Sequence, residues 1–309
     1  MRLVFFGTSE FAVPSLEALS TSGQEIVLCV TQPDRPQGRG LKPQPSPIKT
    51  AAQRLGLLCE EPADLRAATT RLQRLAPEVG VVVAYGRLIP HELLTLPRHG
   101  MLGLHPSLLP TYRGAAPIAW AIVNGESVTG VTTFRLNAQL DAGEIVFQDT
   151  IPITPRETAV TLSEGLAARG GKLLVKTLEA LGQGRAIFRP QDEQAASYAR
   201  KLSKEDGRIN WTTPAVAIDR LVRGMVPWPG ASTTWQGQPL KLCAISSHDG
   251  DVASARPGEI MRIDPTGIVV ATGTGQVIIH ELQLAGGRRM SAQEFLAGHS
   301  MRIGDILGT

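Results

Sequence analysis

Long apolar runs are absent from this 309-residue sequence. No segment approaches the ~20 consecutive apolar residues that a membrane-spanning helix needs. The opening residues 1–6 meet Gly7 and Thr8 too early to form the apolar region of a secretory signal. The sequence therefore predicts a cytoplasmic protein.

Cysteine is also scarce, and histidine shows no metal-ligand spacing. The three cysteines, Cys29, Cys59 and Cys243, lie far apart and form no Cys-x-x-Cys pair. The six histidines include no His-x-x-x-His pair. We therefore expect packing cysteines in a reducing compartment and no bound metal.

Aromatic residues and excess charge are both limited. Aromatics make up 5% of the chain, and 31 Lys and Arg against 28 Asp and Glu leave a net charge of +3. Such a small basic excess is only a weak indication of a nucleic-acid partner. With 42% hydrophobic residues and a mean hydropathy near zero, the composition is that of a globular protein, and the length favours one large domain plus a smaller one.

The N-terminal part alternates short apolar runs with helical patterns. Runs at 3–6, 26–30 and 79–84 are typical of strands buried on both faces of a parallel sheet, which predicts an α/β fold. The first run is followed by Gly7 but not by a complete Gly-x-Gly-x-x-Gly, so that motif predicts no nicotinamide or flavin. The turn after Gly7 either simply opens a helix or lends exposed amides to a substrate pocket.

Two later segments set the predicted domain limits. Thr154 to Glu157 has the form of a capping box and predicts the start of a helix that runs toward Leu181, with Gly170 and Gly171 as a potential break. Beyond Arg208, short apolar runs separated by turns predict a small all-β barrel or sandwich. The predicted domains are 1–184 and 205–309, joined by a linker at 185–204.

A basic segment follows the second strand. Residues 32–43 are so rich in Pro and Gly that we expect no regular structure there. The basic residues in and after this segment are Arg35, Arg39, Lys42 and Lys49. Basic side chains on such a loop suit a polyanion held through its phosphates, and a solvated surface loop is the alternative.

The central stretch, residues 100–117, reads Gly-Met-Leu-Gly-Leu-His-Pro-Ser-Leu-Leu-Pro-Thr-Tyr-Arg-Gly-Ala-Ala-Pro. A short apolar run ends at His105, and Pro106, Pro110 and Gly114 then interrupt the regular backbone. Loops at the carboxyl ends of strands form the ligand crevice of open α/β sheets, so His105 can reach a substrate. Taken alone, such a histidine is more often a satisfied polar residue.

This stretch resembles the signature of the folate-dependent formyltransferases. The residues that carry the resemblance are His-x-Ser-Leu-Leu-Pro and Arg-Gly-Ala-Ala-Pro, and it extends from Gly7-Thr8 to Met290-Ser291-Ala292-Gln293. It is strongest for the branch that acts on methionyl-tRNA. The resemblance implies an N-terminal Rossmann-like domain and a C-terminal OB-like β-barrel that helps to hold tRNA. It also implies transfer of the formyl group of 10-formyltetrahydrofolate to the α-amino group of methionyl initiator tRNA; we expect a monomer.

The resemblance also implies the site residues. Asp141 matches the aspartate of Leu-Asp-x-Gly and pairs with His105, which moves the proton, although an aspartate before such a glycine is more often only a turn former. Arg39 matches an arginine of a loop that enters the tRNA acceptor stem. The implied folate contacts are Ser107, Leu108, Leu109 and Pro110, and, in the loop after residue 84, Tyr85, Gly86, Arg87, Leu88 and Ile89.

Gly103 departs from the family pattern. It stands at the asparagine of Asn-x-His, so the amide that would donate to the developing oxyanion is missing, and one such donor is worth ~10²- to 10³-fold in rate. Because Gly103 and His105 share one face of a strand, the sequence predicts that Gly103→Asn raises turnover. Two alternatives stay open: a catalytically weak or silent folate- or tRNA-binding homologue, and a formyltransferase acting on another amine.

Overall fold

The computed structural model describes residues 1–37, 42–252 and 255–308. These residues form two compact units. The first unit comprises Met1–Pro117, Val128–Pro152 and Leu162–Ala199, and the second comprises Ile118–Ser127, Ile153–Thr161 and Arg200–Thr309. The predicted linker is therefore divided between them, because its residues up to Ala199 pack within the first unit.

A parallel-dominated sheet organises the first unit. The strands of the first unit are β1 (Arg2–Gly7), β2 (Glu25–Val30), β3 (Arg35–Gln37), β4 (Lys42–Gln44), β5 (Cys59–Glu60), β6 (Val79–Val83), β7 (Met101–His105), β8 (Arg113–Gly114), β9 (Val128–Arg135), β10 (Ile145–Pro152) and β11 (Tyr198–Ala199). Seven of them form one sheet in the order β10-β9-β7-β6-β1-β2-β5, in which β9 is antiparallel to both of its neighbours, β7 and β10. The order reverses between β1 and β6, where strand ends open a crevice. This doubly wound α/β architecture confirms the predicted fold class.

Helices occur in both units. They are α1 (Val13–Ser20), α2 (Pro47–Arg54), α3 (Thr69–Leu75), α4 (His91–Leu94), α5 (Pro117–Asn124), α6 (Ala159–Gly182), α7 (Ala215–Gly224) and α8 (Ala292–Gly298). The strands between the helices are apolar on both faces: every residue of β7, for example, is buried.

Helix α6 begins later than the sequence predicts and is not interrupted. The backbone amide of Thr154 does donate to Glu157, at 2.6 Å, but the two residues close a turn and the helix begins at Ala159. A Cβ on Gly170 would lie 2.4 Å from Leu104 of β7, and one on Gly171 would lie 2.8 Å from the carbonyl oxygen of Pro14. The glycines therefore permit close packing of α6 rather than breaking it.

The prediction of no regular structure at residues 32–43 is wrong. Strands β3 and β4 pair as an antiparallel hairpin, with Pro36 opposite Pro43. Proline has no N–H, so it fits the non-hydrogen-bonded pair, in which the amide position points away from the partner strand. Residues 38–41, which include Arg39, lie outside the described residues.

The second unit is rich in antiparallel strands, as the sequence predicts. The strands are β12 (Ala231–Trp235), β13 (Gln238–His248), β14 (Ile260–Asp264), β15 (Gly267–Ala271), β16 (Gln276–Leu284) and β17 (Met290–Ser291). They follow the order β12-β13-β16-β15-β14, with β17 paired to β16. The sequence analysis missed α7 and α8. Ser291 and Glu294 form a capping box at α8, and Phe295 of that helix is fully buried.

The cysteines are free and packed as expected. Cys29 and Cys59 face each other across β2 and β5, and burial raises the pKa of Cys29 to about 12 and that of Cys59 to about 11. None of the helices in the described ranges is long and apolar enough to cross a membrane. Within those ranges, no group of three or more His, Cys, Asp and Glu side chains could hold a metal ion.

Candidate active site

His105 is the last residue of β7 and is 5% exposed. Its Nε2 lies 2.8 Å from the carbonyl oxygen of Tyr112. A carbonyl only accepts hydrogen bonds, so Nε2 carries the hydrogen in this contact. In the neutral ring Nδ1 therefore holds the lone pair and is the nitrogen that can accept a proton.

Asp141 faces that nitrogen from the turn between β9 and β10. Its Oδ2 lies 3.6 Å from Nδ1 of His105 and accepts a hydrogen bond from the backbone amide of Gly114 at 2.8 Å. Asp141 itself has a φ of 50°, in the left-handed region that non-glycine residues rarely adopt. The structure thus brings the two predicted catalytic residues together, one from the end of β7 and the other from the turn between β9 and β10.

Burial and charge act in opposite directions on His105. Burial lowers the pKa of His105 below its ordinary value of 6.5, and the charge of Asp141 and the hydrogen bond to Tyr112 offset part of this effect. The net lowering keeps His105 neutral at pH 7, the state in which Nδ1 can act as a base.

The loop after His105 is fixed by strands β9 and β10. Thr132 on β9 donates to the carbonyl oxygen of Ser107 at 2.7 Å and accepts from the amide of Leu109 at 3.1 Å. Gln148 on β10 donates to the carbonyl oxygen of Leu109 at 2.9 Å. Sequence reasoning missed Thr132 and Gln148, since their direction toward this loop depends on strand register. Two more residues of the predicted folate loop, Leu108 and Pro110, are half-buried.

The second predicted folate loop is tied to the turn after β1. The carbonyl oxygen of Tyr85 accepts hydrogen bonds from Thr8 Oγ1 at 2.9 Å and Gln32 Nε2 at 2.5 Å. The Tyr85 ring is 2% exposed and packs edge-on against Phe6 with ring centroids 5.6 Å apart, whereas Leu88 is 85% exposed. Of these two residues, Leu88 is the one whose side chain is open to a ligand. The other members of the loop are Gly86, Arg87 and Ile89.

A cavity of about 350 Å³ lies beside this contact, and all but one of the described residues that line it are uncharged. The turn after Gly7 contributes Thr8, Ser9 and Glu10 to its wall. Of the two interpretations of this turn, the geometry favours a pocket-lining role. The remaining lining residues are Gln32, Pro33, Gln44, Ser46 and Pro47.

Lys49 anchors the base of the β3–β4 hairpin. Its ammonium lies 2.9 Å from Asp34, which directly precedes β3, and 2.9 Å from Glu61. The hydrogen bond that Lys49 donates to Asp34 is the main cause that raises the pKa of Lys49 and the main cause that lowers the pKa of Asp34. Arg35 and Lys42 lie on the two hairpin strands.

Apolar side chains occupy the space next to Gly103. Gly103 pairs with Phe134 on β9, and a Cβ added to Gly103 would lie 2.5 Å from Phe134 Cε1 and 2.7 Å from Leu136 Cδ1. Real Cβ atoms do not approach other atoms so closely. The Phe134 ring therefore covers the position on β7 at which the family pattern has the side-chain amide of an asparagine.

Sequence comparison identifies the family over most of the chain. The sequence model described as formyl transferase matches residues 1–178, and the model of the formyl transferase C-terminal domain matches residues 201–300. The chain belongs to the formyl transferase family. His105 and Asp141 both lie within the matched N-terminal region of this formyl transferase.

Among named relatives of this formyl transferase is the methionyl-tRNA formyltransferase of Pelotomaculum thermopropionicum. It is 46% identical over 310 aligned positions, which cover 100% of this chain and 99% of the relative.

Solved structures share the fold of this formyl transferase at low identity. HypX from Aquifex aeolicus in complex with tetrahydrofolic acid superposes with a TM-score of 0.64 at 19% identity, covering 96% of this chain and 47% of HypX. An N-formyltransferase from Helicobacter canadensis, in complex with folinic acid and dTDP-3-aminofucose, gives 0.67 at 17% identity, covering 90% and 98%.

The formyl transferase should lose activity in acid with a midpoint below pH 6.5, because the pKa of His105, its predicted base, is lowered below that value. In Asp141→Asn the charge that raises the pKa of His105 is gone, so the midpoint should move to still lower pH and the plateau rate should fall by orders of magnitude. The pH dependence of kcat/KM for formyl transfer measures both effects. Asp149→Asn, an exposed aspartate paired with Arg169, is the control. A midpoint that rises in Asp141→Asn would contradict this assignment.

Gly103→Asn should not raise turnover on its own, contrary to the expectation from sequence alone. Forcing a side chain against Phe134 should lower the free energy of unfolding by about 1–3 kcal/mol. Turnover should rise only where the Phe134 ring is removed. The double variant Gly103→Asn/Phe134→Ala should therefore be faster than Phe134→Ala. Urea unfolding and formyl-transfer rates of the four proteins test this. A faster Gly103→Asn single variant would show that Phe134 does not block the position.

Proposed function

We propose that the protein transfers the formyl group of 10-formyltetrahydrofolate to the α-amino group of methionyl initiator tRNA. The observation that carries the proposal is the similarity, over essentially the full length of both chains, to a relative named for this reaction. The pairing of the buried His105 with the half-buried Asp141 supports the proposal, because such a transfer requires acid–base chemistry.

The reaction joins an amine to a formyl carbon. The neutral α-amine attacks that carbon, the bond from the carbon to the folate nitrogen breaks, and the products are formylmethionyl-tRNA and tetrahydrofolate. The amine loses one proton and the folate nitrogen gains one. In this proposal Nδ1 of His105 accepts the proton from the amine, and the carboxylate of Asp141 stabilises the imidazolium that forms.

The two loops at the crevice are the proposed folate site. The residues after His105 are Ser107, Leu108, Leu109 and Pro110, and those after β6 are Tyr85, Gly86, Arg87, Leu88 and Ile89. Hydrogen bonds from Thr132, Gln148, Thr8 and Gln32 hold the backbones of both loops, which supports a preformed site. No metal takes part in the proposed reaction.

The β3–β4 hairpin is the proposed tRNA contact. Arg35 and Lys42 lie on its two strands, Arg39 lies between them in the sequence, and Lys49 pairs with Asp34 directly before β3. Phosphate contacts of this kind position an RNA without reading its sequence. The cytoplasmic location and the monomeric state stay predictions.

One assay tests the proposed reaction against other amines. The protein is mixed with 10-formyltetrahydrofolate and, separately, with charged methionyl initiator tRNA, charged glutaminyl tRNA or a nucleotide-linked amino sugar. We expect rapid formylation of the methionyl tRNA alone. Equal or faster formylation of the amino sugar would overturn the proposed substrate, and binding of folate and tRNA without any transfer would identify a silent homologue.

Different hairpin variants should affect tRNA binding in different ways. Arg39→Ala and Lys42→Ala should each weaken it and reduce the slope of log K against log salt by about 0.7–0.9, because one phosphate contact is lost. Lys49→Met should weaken binding with an almost unchanged slope, since Lys49 is already paired with Asp34 and Glu61.

Salt titrations of tRNA affinity measure these slopes. Arg54→Ala, which removes an exposed arginine paired with Glu17, is the control. Unchanged affinity and slope in the Arg39 and Lys42 variants would show that the hairpin is only a solvated surface.

A further inference from the structure

The segment from Gln191 to Ala199, predicted as part of a linker, packs against the active site. Its strand β11 pairs in parallel with β8, so that Tyr198 lies opposite Arg113. The carbonyl oxygen of Ser197 accepts from the amide of Arg113 at 2.8 Å, and its Oγ accepts from the amide of Tyr112 at 2.9 Å. The segment therefore fixes the backbone of Tyr112, whose carbonyl oxygen receives the hydrogen bond from His105.

Gln191 bonds directly to the turn that carries Asp141. Its Nε2 donates to the carbonyl oxygen of Asp141 at 2.8 Å and to that of Gly143 at 2.7 Å. Both hydrogens of the amide are used on these two oxygens, and they lie on either side of Ala142. One side chain thus holds the whole turn.

Arg113 fixes the other end of the Gln191 side chain. Its Nε and Nη2 donate to Gln191 Oε1 at 3.1 and 2.9 Å, which leaves no freedom to exchange the oxygen and nitrogen of the amide. Arg113 is 1% exposed and also forms a two-point ion pair with Glu193 at 2.8 and 2.9 Å. A buried guanidinium with all these partners is a rigid support.

The turn needs such support because its backbone is unfavourable. Asp141 has a φ of 50°, a left-handed conformation that is unfavourable for a non-glycine residue and persists only where the surroundings hold it. If the turn relaxed, the Asp141 carboxylate would leave the amide of Gly114 and move away from His105.

We propose that Gln191 is a positioning residue of the active site, which holds the Asp141–Gly143 turn so that the carboxylate stays beside Nδ1 of His105. Arg113 supports the reaction through Gln191. This inference rests on the proposed function, in which Asp141 stabilises the imidazolium of His105. A purely structural role is the alternative, in which Gln191 only attaches residues 191–199 to the first unit.

The test compares Gln191→Ala and Gln191→Glu with a matched control in the same segment. The glutamate keeps the length and the acceptor for Arg113 but cannot donate to the two carbonyl oxygens. Gln194→Ala removes the same residue type from an exposed position at which no contact of the side chain is described, so it should behave as the parent.

The first readout needs no substrate. NMR titration of isotope-labelled histidine, with the His105 signal assigned from a His105→Asn variant, reports the pKa of His105. Asp141 is the one charged group among the described residues that shifts this pKa, whereas Arg113 and Glu193 act through Gln191. We expect the pKa of His105 to fall in Gln191→Ala, toward its value in Asp141→Asn, and to stay unchanged in Gln194→Ala. In Gln191→Glu the fall should be smaller, because the added carboxylate, although paired with Arg113, itself raises the pKa of His105.

The second readout is the kinetics of formyl transfer. The kcat of both Gln191 variants should fall between about 10- and 100-fold, because a displacement near 1 Å has effects of that size. The KM values for folate and tRNA should stay within about twofold. An unchanged His105 pKa in folded Gln191 variants would overturn the proposal, as would a loss confined to KM.

These outcomes separate the inference from the proposed reaction. If the parent protein does not formylate methionyl tRNA, the substrate is wrong, but the His105 titration still shows whether Gln191 places Asp141. If Gln191→Ala does not fold, Gln191→Glu, which keeps the ion-pair network around Arg113, gives the result. A Gln191→Glu variant with the parent's His105 pKa and kcat would then overturn the proposal.

Discussion

The site depends on keeping an imidazole out of water while a carboxylate stays beside it. Burial alone would make His105 a weaker base, and the nearby charge of Asp141 offsets part of that loss. This balance works only at a fixed separation, since the influence of the charge falls with distance. Backbone groups of Tyr112 and Gly114 set the separation from one side, and the Gln191 amide holds the Asp141 turn from the other.

Much of the fold, and the proximity of His105 to Asp141, can be predicted from the sequence. Apolar runs such as Val79 to Val83 indicate strands of a covered parallel sheet, because a strand buried on both faces needs no polar alternation. His105 and Asp141 were recognised from the motifs around them. The register of β9 and β10 cannot be deduced from the sequence alone, and so the parts played by Thr132 and Gln148 were missed.

Other features escaped prediction for identifiable physical reasons. The capping pattern at Thr154 forms its hydrogen bond but stabilises a turn, because a local motif specifies only a local contact. Gly170 and Gly171 suggest a helix break until it is known that Leu104 and Pro14 pack against them. No local motif marks Gln191, because its partners Asp141 and Arg113 lie 50 and 78 positions away in the sequence.

The two prolines of the β3–β4 hairpin have a consequence for association between copies of the chain. An exposed strand edge normally presents free N–H groups onto which a strand of another molecule can pair. At Pro36 and Pro43 the outward-facing positions carry no N–H, so each edge of the hairpin lacks a donor at its centre. The hairpin edges are therefore poor templates for sheet growth, and this protection is independent of salt, unlike one based on charge repulsion.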